Sequence, residues 1–226
     1  MDPVTRAGDA VLRPAAPWTA SVHALLAHVR ARDVTWVPEP RGTHPDGRAE
    51  VSWVEGDVPA YPMPAYVWEP AVLGRAAAML RRLHDATEGF DRSGRTWALP
   101  EHEPAEVICH NDFAPYNLVF RDGLPVGAID FEAASPGPRA WDLAYLAYRL
   151  VPLASPENPD LPPQPDPEGR LAALCAAYGD MNPEAVLALV PERLRELAET
   201  APAAHAALYL ADAGHIEESL PQAQPE

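Results

Sequence analysis

The stretch from Ile108 to Asp130 restricts the possible folds of this chain more than any other. A short apolar run, Ile108-Cys109, opens into a polar loop that holds His110, Asp112 and Asn117. Two further runs, Leu118–Arg121 and Pro125–Ile129, flank Asp122-Gly123, a dipeptide suited to the left-handed backbone of a tight hairpin turn. A hairpin returns the chain to its starting point, so it delivers Asp130 back beside the loop. Any fold must gather these polar side chains at one end of a hairpin.

The elements around that stretch follow from periodicity. Val4–Arg6 and Ala10–Arg13 read as two short strands about an Ala7-Gly8-Asp9 turn, and Pro14 and Pro17 stop the second. Thr19 reads as the cap of a helix from about Ala20 to Arg32, with Val22, Leu25, Leu26 and Val29 as its apolar stripe. Residues 37–48 are turn-rich, and Glu50–Glu55 alternates as a strand. Pro70–Thr87 keeps strong helical spacing, Ala105–Cys109 is a short strand, and Trp141–Leu150 is helical. Residues 152–167 hold seven prolines and predict an irregular loop or lid. Helical segments follow over about 168–178, 183–199 and 202–219, and Leu220–Glu226 is expected to fray. The pattern is α+β, with a strand-rich part of about 57 residues before a mostly helical part that carries one hairpin.

At 226 residues the chain has room for one large domain or two small lobes with a shared cleft, and its 47% apolar content supports a core. No run approaches the length of a membrane-spanning helix, and Met1–Arg6 has no apolar signal region. The expectation is a cytoplasmic protein with no membrane partner. A net charge of −16 argues against nucleic acid, which needs a basic face. It suits either a cationic ligand drawn to an acidic cleft or mere solubility. Two cysteines, Cys109 and Cys175, make no disulfide framework, and Cys109, beside His110, reads as a buried structural thiol in preference to a nucleophile. All 17 basic residues are arginine.

One carboxylate that orients an attacking hydroxyl, with an amide and a second carboxylate that hold magnesium, is the arrangement phosphoryl transfer needs. Asp112 fits the first role, and Asn117 and Asp130 fit the other two, because magnesium takes few protein oxygens and completes its shell with phosphates and water. Asp and Asn also favour turns on their own account, which is the competing reading.

His110-x-Asp112-x-x-x-x-Asn117, then Ile129-Asp130-Phe131-Glu132, then Gly137-Pro138-Arg139-x-x-Asp142-Leu143-Ala144-Tyr145, resembles the aminoglycoside phosphotransferase (choline-kinase-like) family, within it a trifolitoxin-immunity-like bacterial subgroup. Leu83-His84-Asp85 fits the same pattern. The resemblance covers about residues 10–220 and implies a protein-kinase-like, two-lobed fold. Residues 1–57 would form a reduced, β-rich nucleotide-side lobe. Residues 58–226 would form the helical lobe with the catalytic loop, metal site and acceptor site. The implied activity is transfer of the γ-phosphate of ATP (or GTP), with Mg2+, to a hydroxyl of a small molecule. Asp112 would be the catalytic carboxylate, His110 the organiser of its loop, Asn117 and Asp130 the metal ligands, and Asp142 the support behind the loop.

The N-terminal side departs from the family pattern. Arg13 stands where the phosphate-binding lysine is expected, and arginine is not a neutral replacement for lysine. The nine residues before β-type Ala10–Arg13 leave no space for a glycine-rich phosphate lid, and the helix 20–32 has no acid to partner the cation, His23 being its nearest ionisable group. A start further upstream, a reduced lid, or a fold kept without catalysis are the open explanations. Trp53 and Val54 lie where a hinge would face the nucleotide base, with core packing as the alternative for Trp53. Trp141, Tyr145 and Tyr148 read as core residues with satisfied polar tips. His84 reads as a cap or a bridge between lobes. Asp212, His215, Glu217 and Glu218 lie either near an acceptor site or on a solvated helix face. Two other readings stand beside the kinase: a binding or immunity protein on a reduced kinase fold, and a two-metal hydrolase, for which the expected extra histidines are missing.

Overall fold

The computed structural model describes residues 4–161, 163, 165–179 and 181–219. Leu220–Glu226, predicted to fray, and residues 162 and 164 of the proline-rich loop lie outside the described residues.

The N-terminal part is an antiparallel sheet with one helix. Strands β1 (Thr5–Ala7), β2 (Ala10–Arg13), β3 (Pro40–Thr43) and β4 (Ala49–Ser52) lie in the order β1-β2-β4-β3. Ala10 and Leu12 of β2 and Ala49 and Val51 of β4 turn inward, the period-two pattern of a half-buried sheet. Helix α1 (Thr19–Arg30) buries Val22, Leu25, Leu26 and Val29, the stripe expected from sequence. Thr19 is not its cap. It is the first helical residue, and its hydroxyl accepts from the Ala16 amide at 2.9 Å, which fixes the chain's approach to the helix. Strand β3 falls in the stretch read as turns. It is an edge strand with none of its four residues buried, so it has no apolar alternation to read, and its pairing comes from the β4 backbone.

Strand β4 stops at Ser52, short of the expected Glu55, because residues 54–57 leave the sheet to lie on the hairpin. That hairpin is β6 (Leu118–Arg121) and β7 (Leu124–Ala128), with strand β5 (Val107–Cys109) preceding it in the chain. Asp122 and Gly123 both take positive φ, 52° and 75°, as the two-residue turn requires. Asp57 exchanges backbone bonds with Phe120 at 2.9 and 2.7 Å. Two glycines permit the close approach. A Cβ on Gly127 would lie 2.7 Å from Val54 Cγ1 and 2.9 Å from the Trp36 carbonyl oxygen. One on Gly56 would lie 2.5 Å from the Phe120 carbonyl oxygen.

The rest is helical. Helix α2 (Pro70–Thr87) lies centrally, with α3 (Arg139–Leu150), α4 (Pro167–Tyr178), α5 (Pro183–Thr200) and α6 (Ala203–Ser219) following. Strand β8 (Ser135–Gly137), unforeseen in a Ser-Pro-Gly run, pairs with β5. One apolar cluster runs from Val22, Leu25 and Val51 through Leu80 and Leu83 to Leu146 and Val190, so sheet side and helical side share a core. The loop after α3 is irregular, as expected. Its first part is not free, because buried Asp212 of α6 accepts from the Ser155 amide and the Asn158 side chain at 2.9 and 2.6 Å. Among the described residues no helix is long and apolar enough to cross a membrane.

Candidate active site

The loop after β5 is fastened from behind. Asp142, in the first turn of α3, is fully buried, and its two carboxylate oxygens accept from the His110 amide at 2.7 Å and the Asn111 amide at 2.9 Å. His84 Nε2 donates to the same carboxylate at 3.0 Å. Burial alone would raise the Asp142 carboxyl, but His84, His110 and the amide bonds outweigh it and hold the group below its ordinary value. Asn111 takes a left-handed backbone, φ 63°, and turns the chain so that Asp112 leaves the buried layer. From α5, Arg193 donates to the Asn111 carbonyl at 2.6 Å, although only 1% of its surface is exposed.

His110 closes the loop from the front. Its Nδ1 accepts from the Asp112 amide at 3.2 Å, so its proton sits on Nε2, which donates to the Ile129 carbonyl at 3.0 Å. The imidazole thereby spans the residue that precedes Asp130 and the residue that is Asp112. The Asn117 carbonyl accepts from the Ile129 amide at 2.9 Å, which brings the two ends of the hairpin together.

Both Asp112 oxygens are fixed. Oδ1 accepts from the Tyr116 hydroxyl at 2.7 Å and Oδ2 from Asn117 Nδ2 at 2.8 Å. With its side-chain nitrogen so used, the Asn117 side-chain oxygen Oδ1 takes no hydrogen bond among the described residues. It and the Asp130 carboxylate are hard oxygen donors, the kind magnesium takes. Asp130 itself adopts a left-handed backbone, φ 63°, before the short 3₁₀ turn Phe131–Ala133.

Arg13 of β2 reaches this group. Its Nη1 lies 2.9 Å from Asp130 Oδ1 and 3.0 Å from Glu132 Oε1, and the Trp18 indole donates to Glu132 Oε2 at 2.6 Å. Burial works against the charged guanidinium, but the two carboxylates outweigh it and hold its pKa above the ordinary value. The acid missing from α1 therefore has a substitute in Glu132, two residues after Asp130. His23 of α1 lines the same small cavity, about 20 Å³, with Arg13, Asp130 and Glu132. Burial lowers the His23 pKa. Trp53 and Val54 are not among the residues lining that cavity. The Trp53 ring lies 4.1 Å from the Arg6 guanidinium, and Val54 packs on Gly127.

On the other side of Asp112 lies a larger cavity of about 370 Å³, lined by Tyr61, Tyr116, Tyr148, Tyr209, Arg149 and Asp160 among others. Tyr116 belongs both to this wall and to the Asp112 carboxylate. Tyr145, expected as core, is buried, and its hydroxyl lies 2.6 Å from that of Tyr116. Tyr148 donates to Asp212 at 2.7 Å.

Other expectations fare unevenly. Trp141 is core, but its buried indole nitrogen has no hydrogen-bond partner among the described residues; the ring stacks on His102 at 4.2 Å and lies under Arg193. His84 does not bridge the lobes: its Nδ1 meets the Tyr178 hydroxyl at 2.6 Å, so it links α2 to α3 and α4. Cys109 is buried, its thiol pushed well up by burial, and points at the Pro138 carbonyl. His84, Cys109 and Asp142 lie close enough to share a metal, but each already has a hydrogen-bond partner. Glu217 pairs with Arg195 on the surface.

Four residues of this region carried signals that went unread. Glu132 and Tyr116 lie within the quoted motifs. Arg193 falls on the apolar stripe of α5 with Val186, Val190 and Leu194. Arg149 follows Tyr145 by one helical turn on α3.

Residues 95–188 match the phosphotransferase enzyme family (APH). The trifolitoxin immunity protein of Rhizobium leguminosarum bv. trifolii is 40% identical over 144 residues, 59% of this chain and 52% of that protein. The chain thus spans about half the length of the curated relative it matches. A choline/ethanolamine kinase family protein from Mesorhizobium loti superposes with a TM-score of 0.62 at 18% identity, over 95% of this chain and 84% of that one. The streptomycin–ATP–APH(2″)-IIa ternary complex superposes with a TM-score of 0.58 at 13% identity, over 94% and 91%. At such identities the likeness is one of fold: the chain has the protein-kinase-like fold that these structures share, and residues 95–188 resemble the phosphotransferase enzyme family.

Proposed function

We propose that this chain, with its phosphotransferase-family domain on a protein-kinase-like fold, transfers the γ-phosphate of ATP or GTP to a hydroxyl of a small molecule. The observation that carries the proposal is the Asp112 carboxylate, held by Tyr116 on one oxygen and Asn117 on the other, one hydrogen bond from the wall of a ligand-sized cavity. Residues 1–57 would serve the nucleotide side and residues 58–226 the catalytic loop, metal and acceptor.

In this reading Asp112 accepts a hydrogen bond from the acceptor hydroxyl and aims its oxygen at the γ-phosphorus. The new P–O bond forms as the bond to the β-phosphate oxygen breaks, and the hydroxyl proton passes to Asp112. Positioning and electrostatics supply most of the rate in such a reaction. The Asn117 side-chain oxygen Oδ1 and Asp130 would hold Mg2+, which neutralises charge on the phosphate oxygens when bound. His110 and Asp142 do not touch substrate; they fix the loop. Arg13 is the phosphate ligand. The cavity beside it, at about 20 Å³, has room for about one water, so phosphates enter only when Arg13 exchanges Asp130 for them. Trp53 and Val54 would stand at the base-side hinge.

The same Arg13–Asp130 contact, with the likeness to a trifolitoxin immunity protein, favours a second reading: a kinase-fold binding or immunity protein that holds a ligand without turning over nucleotide. Release of ADP or GDP, measured with and without a panel of hydroxylated acceptors, separates the two. Acceptor-stimulated release supports the phosphotransferase. Acceptor binding with no release supports the second reading.

A further inference from the structure

The cavity beside Asp112 contains a cation, Arg149, that is ion-paired with no carboxylate among the described residues. The Arg149 guanidinium lies 4.9 Å from the Tyr148 ring centre, 5.3 Å from that of Tyr145, 5.5 Å from Tyr116 and 5.9 Å from Tyr209. Its Nε and Nη2 donate to the Tyr145 hydroxyl, each at 3.1 Å, and Nη2 also donates to the Tyr209 hydroxyl at 3.2 Å. Arg149 forms no ion pair among the described residues. Burial holds the phenols of Tyr116, Tyr145 and Tyr148 well above their ordinary values, so these partners are neutral. Neutral hydroxyls satisfy donors but leave a half-buried charge uncompensated, and such a charge favours an oxyanion over a second cation.

The hydrogen bonds also connect this cation to Asp112 in one direction. The single Tyr116 proton goes to Asp112, so at the 2.6 Å contact between the two phenols Tyr145 is the donor. Tyr145 in turn accepts from Arg149. The chain Arg149–Tyr145–Tyr116–Asp112 starts at one residue of the cavity wall, passes through buried Tyr145 to another, Tyr116, and ends at the carboxylate proposed to orient the hydroxyl. Among the described residues Asp160 is the carboxylate in that wall, and aromatic rings make up most of the remainder. The cavity, at about 370 Å³, lies in the range of small-molecule sites.

We propose that this cavity takes a small hydroxylated molecule bearing an oxyanion group, a carboxylate or a phosphate monoester, with the oxyanion on Arg149 and the hydroxyl toward Asp112. The inference rests on the phosphotransferase reading for the meaning of Asp112, but the charge preference of the cavity does not depend on turnover. The overall charge of −16 points the other way, toward cations. Screening in physiological salt acts over about 8 Å, so a guanidinium inside the cavity outweighs carboxylates spread over the surface.

The test is calorimetry without nucleotide. The probes are 3-phenyllactate and glycerol 3-phosphate, against 3-phenyllactamide as neutral control and choline and kanamycin as cationic ones. We expect one or both anions to bind at least about tenfold more tightly than every control; the stronger anion identifies carboxylate or phosphate. Arg149→Met should lose at least about tenfold of that affinity, and Arg149→Lys should keep the order of preference. If Arg149→Met does not fold, Asp160→Asn serves in its place and should tighten anion binding. The proposal is overturned if choline or kanamycin outbinds both anions, if neither anion gives heat up to about 10 mM, a threshold set by fragment-scale affinities, if Arg149→Met binds the anions unchanged, or if Asp160→Asn binds them more weakly. Anion binding in a protein that never releases ADP or GDP would uphold the cavity assignment and end the phosphotransferase reading. Turnover of a cationic acceptor would do the reverse.

Discussion

Arg13 Nη1 lies 2.9 Å from Asp130 Oδ1, so a cation of the sheet rests on the carboxylate proposed to hold magnesium. The contact joins β2 to the end of the hairpin, and Glu132 completes it by accepting from Trp18 as well. A metal ion and a guanidinium compete for one oxygen. In the proposed function nucleotide phosphates would offer the guanidinium an alternative partner, which would couple phosphate binding to release of Asp130.

The competition predicts opposite effects from one substitution. In Arg13→Gln, binding of Mg2+ alone should tighten because its competitor is gone. Binding of ATP or GTP should weaken about tenfold, the order of one charge-assisted bond. Calorimetry of each ligand separately reads both. A variant in which both affinities move the same way would contradict the exchange.

Asp112→Asn should lower kcat by about 10² to 10⁴-fold, the range for loss of a positioned proton acceptor. Nucleotide affinity and thermal midpoint should stay near the wild-type values, because asparagine keeps one oxygen for Tyr116 or Asn117. An unchanged rate removes Asp112 from its role.

Asp142 gives a pH dependence. Its carboxyl is depressed on folding, so its contribution to stability is complete above the unfolded value near about 4 and is lost as pH falls through the folded value. Asp142→Asn should cost about 3 kcal/mol at pH 7, since it leaves buried amide donors unpaired. It should also make the fall in stability below about pH 4 shallower. Denaturant melts at several pH values measure both.

Gly127→Ala should destabilise by about 1–3 kcal/mol, as overpacking does. The added methyl meets Val54 and the Trp36 carbonyl, and the carbonyl is backbone. A variant as stable as wild type would mean that residues 36 and 54 yield, and that their seat on the hairpin is loose.

The sequence revealed most where chemistry and periodicity coincide. The hairpin turn at Asp122-Gly123 leaves a mark because only small or special residues take its backbone. The stripes of α1 and α2 are legible because their partners are apolar. Strand β3 left no mark, since an exposed edge strand has no inward face, and β8 hides in Ser-Pro-Gly because its pairing partner is 26 residues away even at the near end, Cys109 against Ser135. Asp112, Asn117 and Asp130 were legible as a set because their spacing is local. Arg149 and Arg193 were not. Their roles come from tyrosines and a carbonyl on other elements, and nothing along the chain links position 193 to the Asn111 carbonyl it holds.

The central claim is that the hairpin end binds a metal–nucleotide pair. Calorimetric titration of ATP and of GTP, with and without Mg2+, into wild type and Asp130→Ala tests it most directly. The account predicts binding that Mg2+ strengthens in wild type and that Asp130→Ala abolishes. Absence of binding by either nucleotide to wild type, or binding indifferent to Mg2+ and to loss of Asp130, would contradict it.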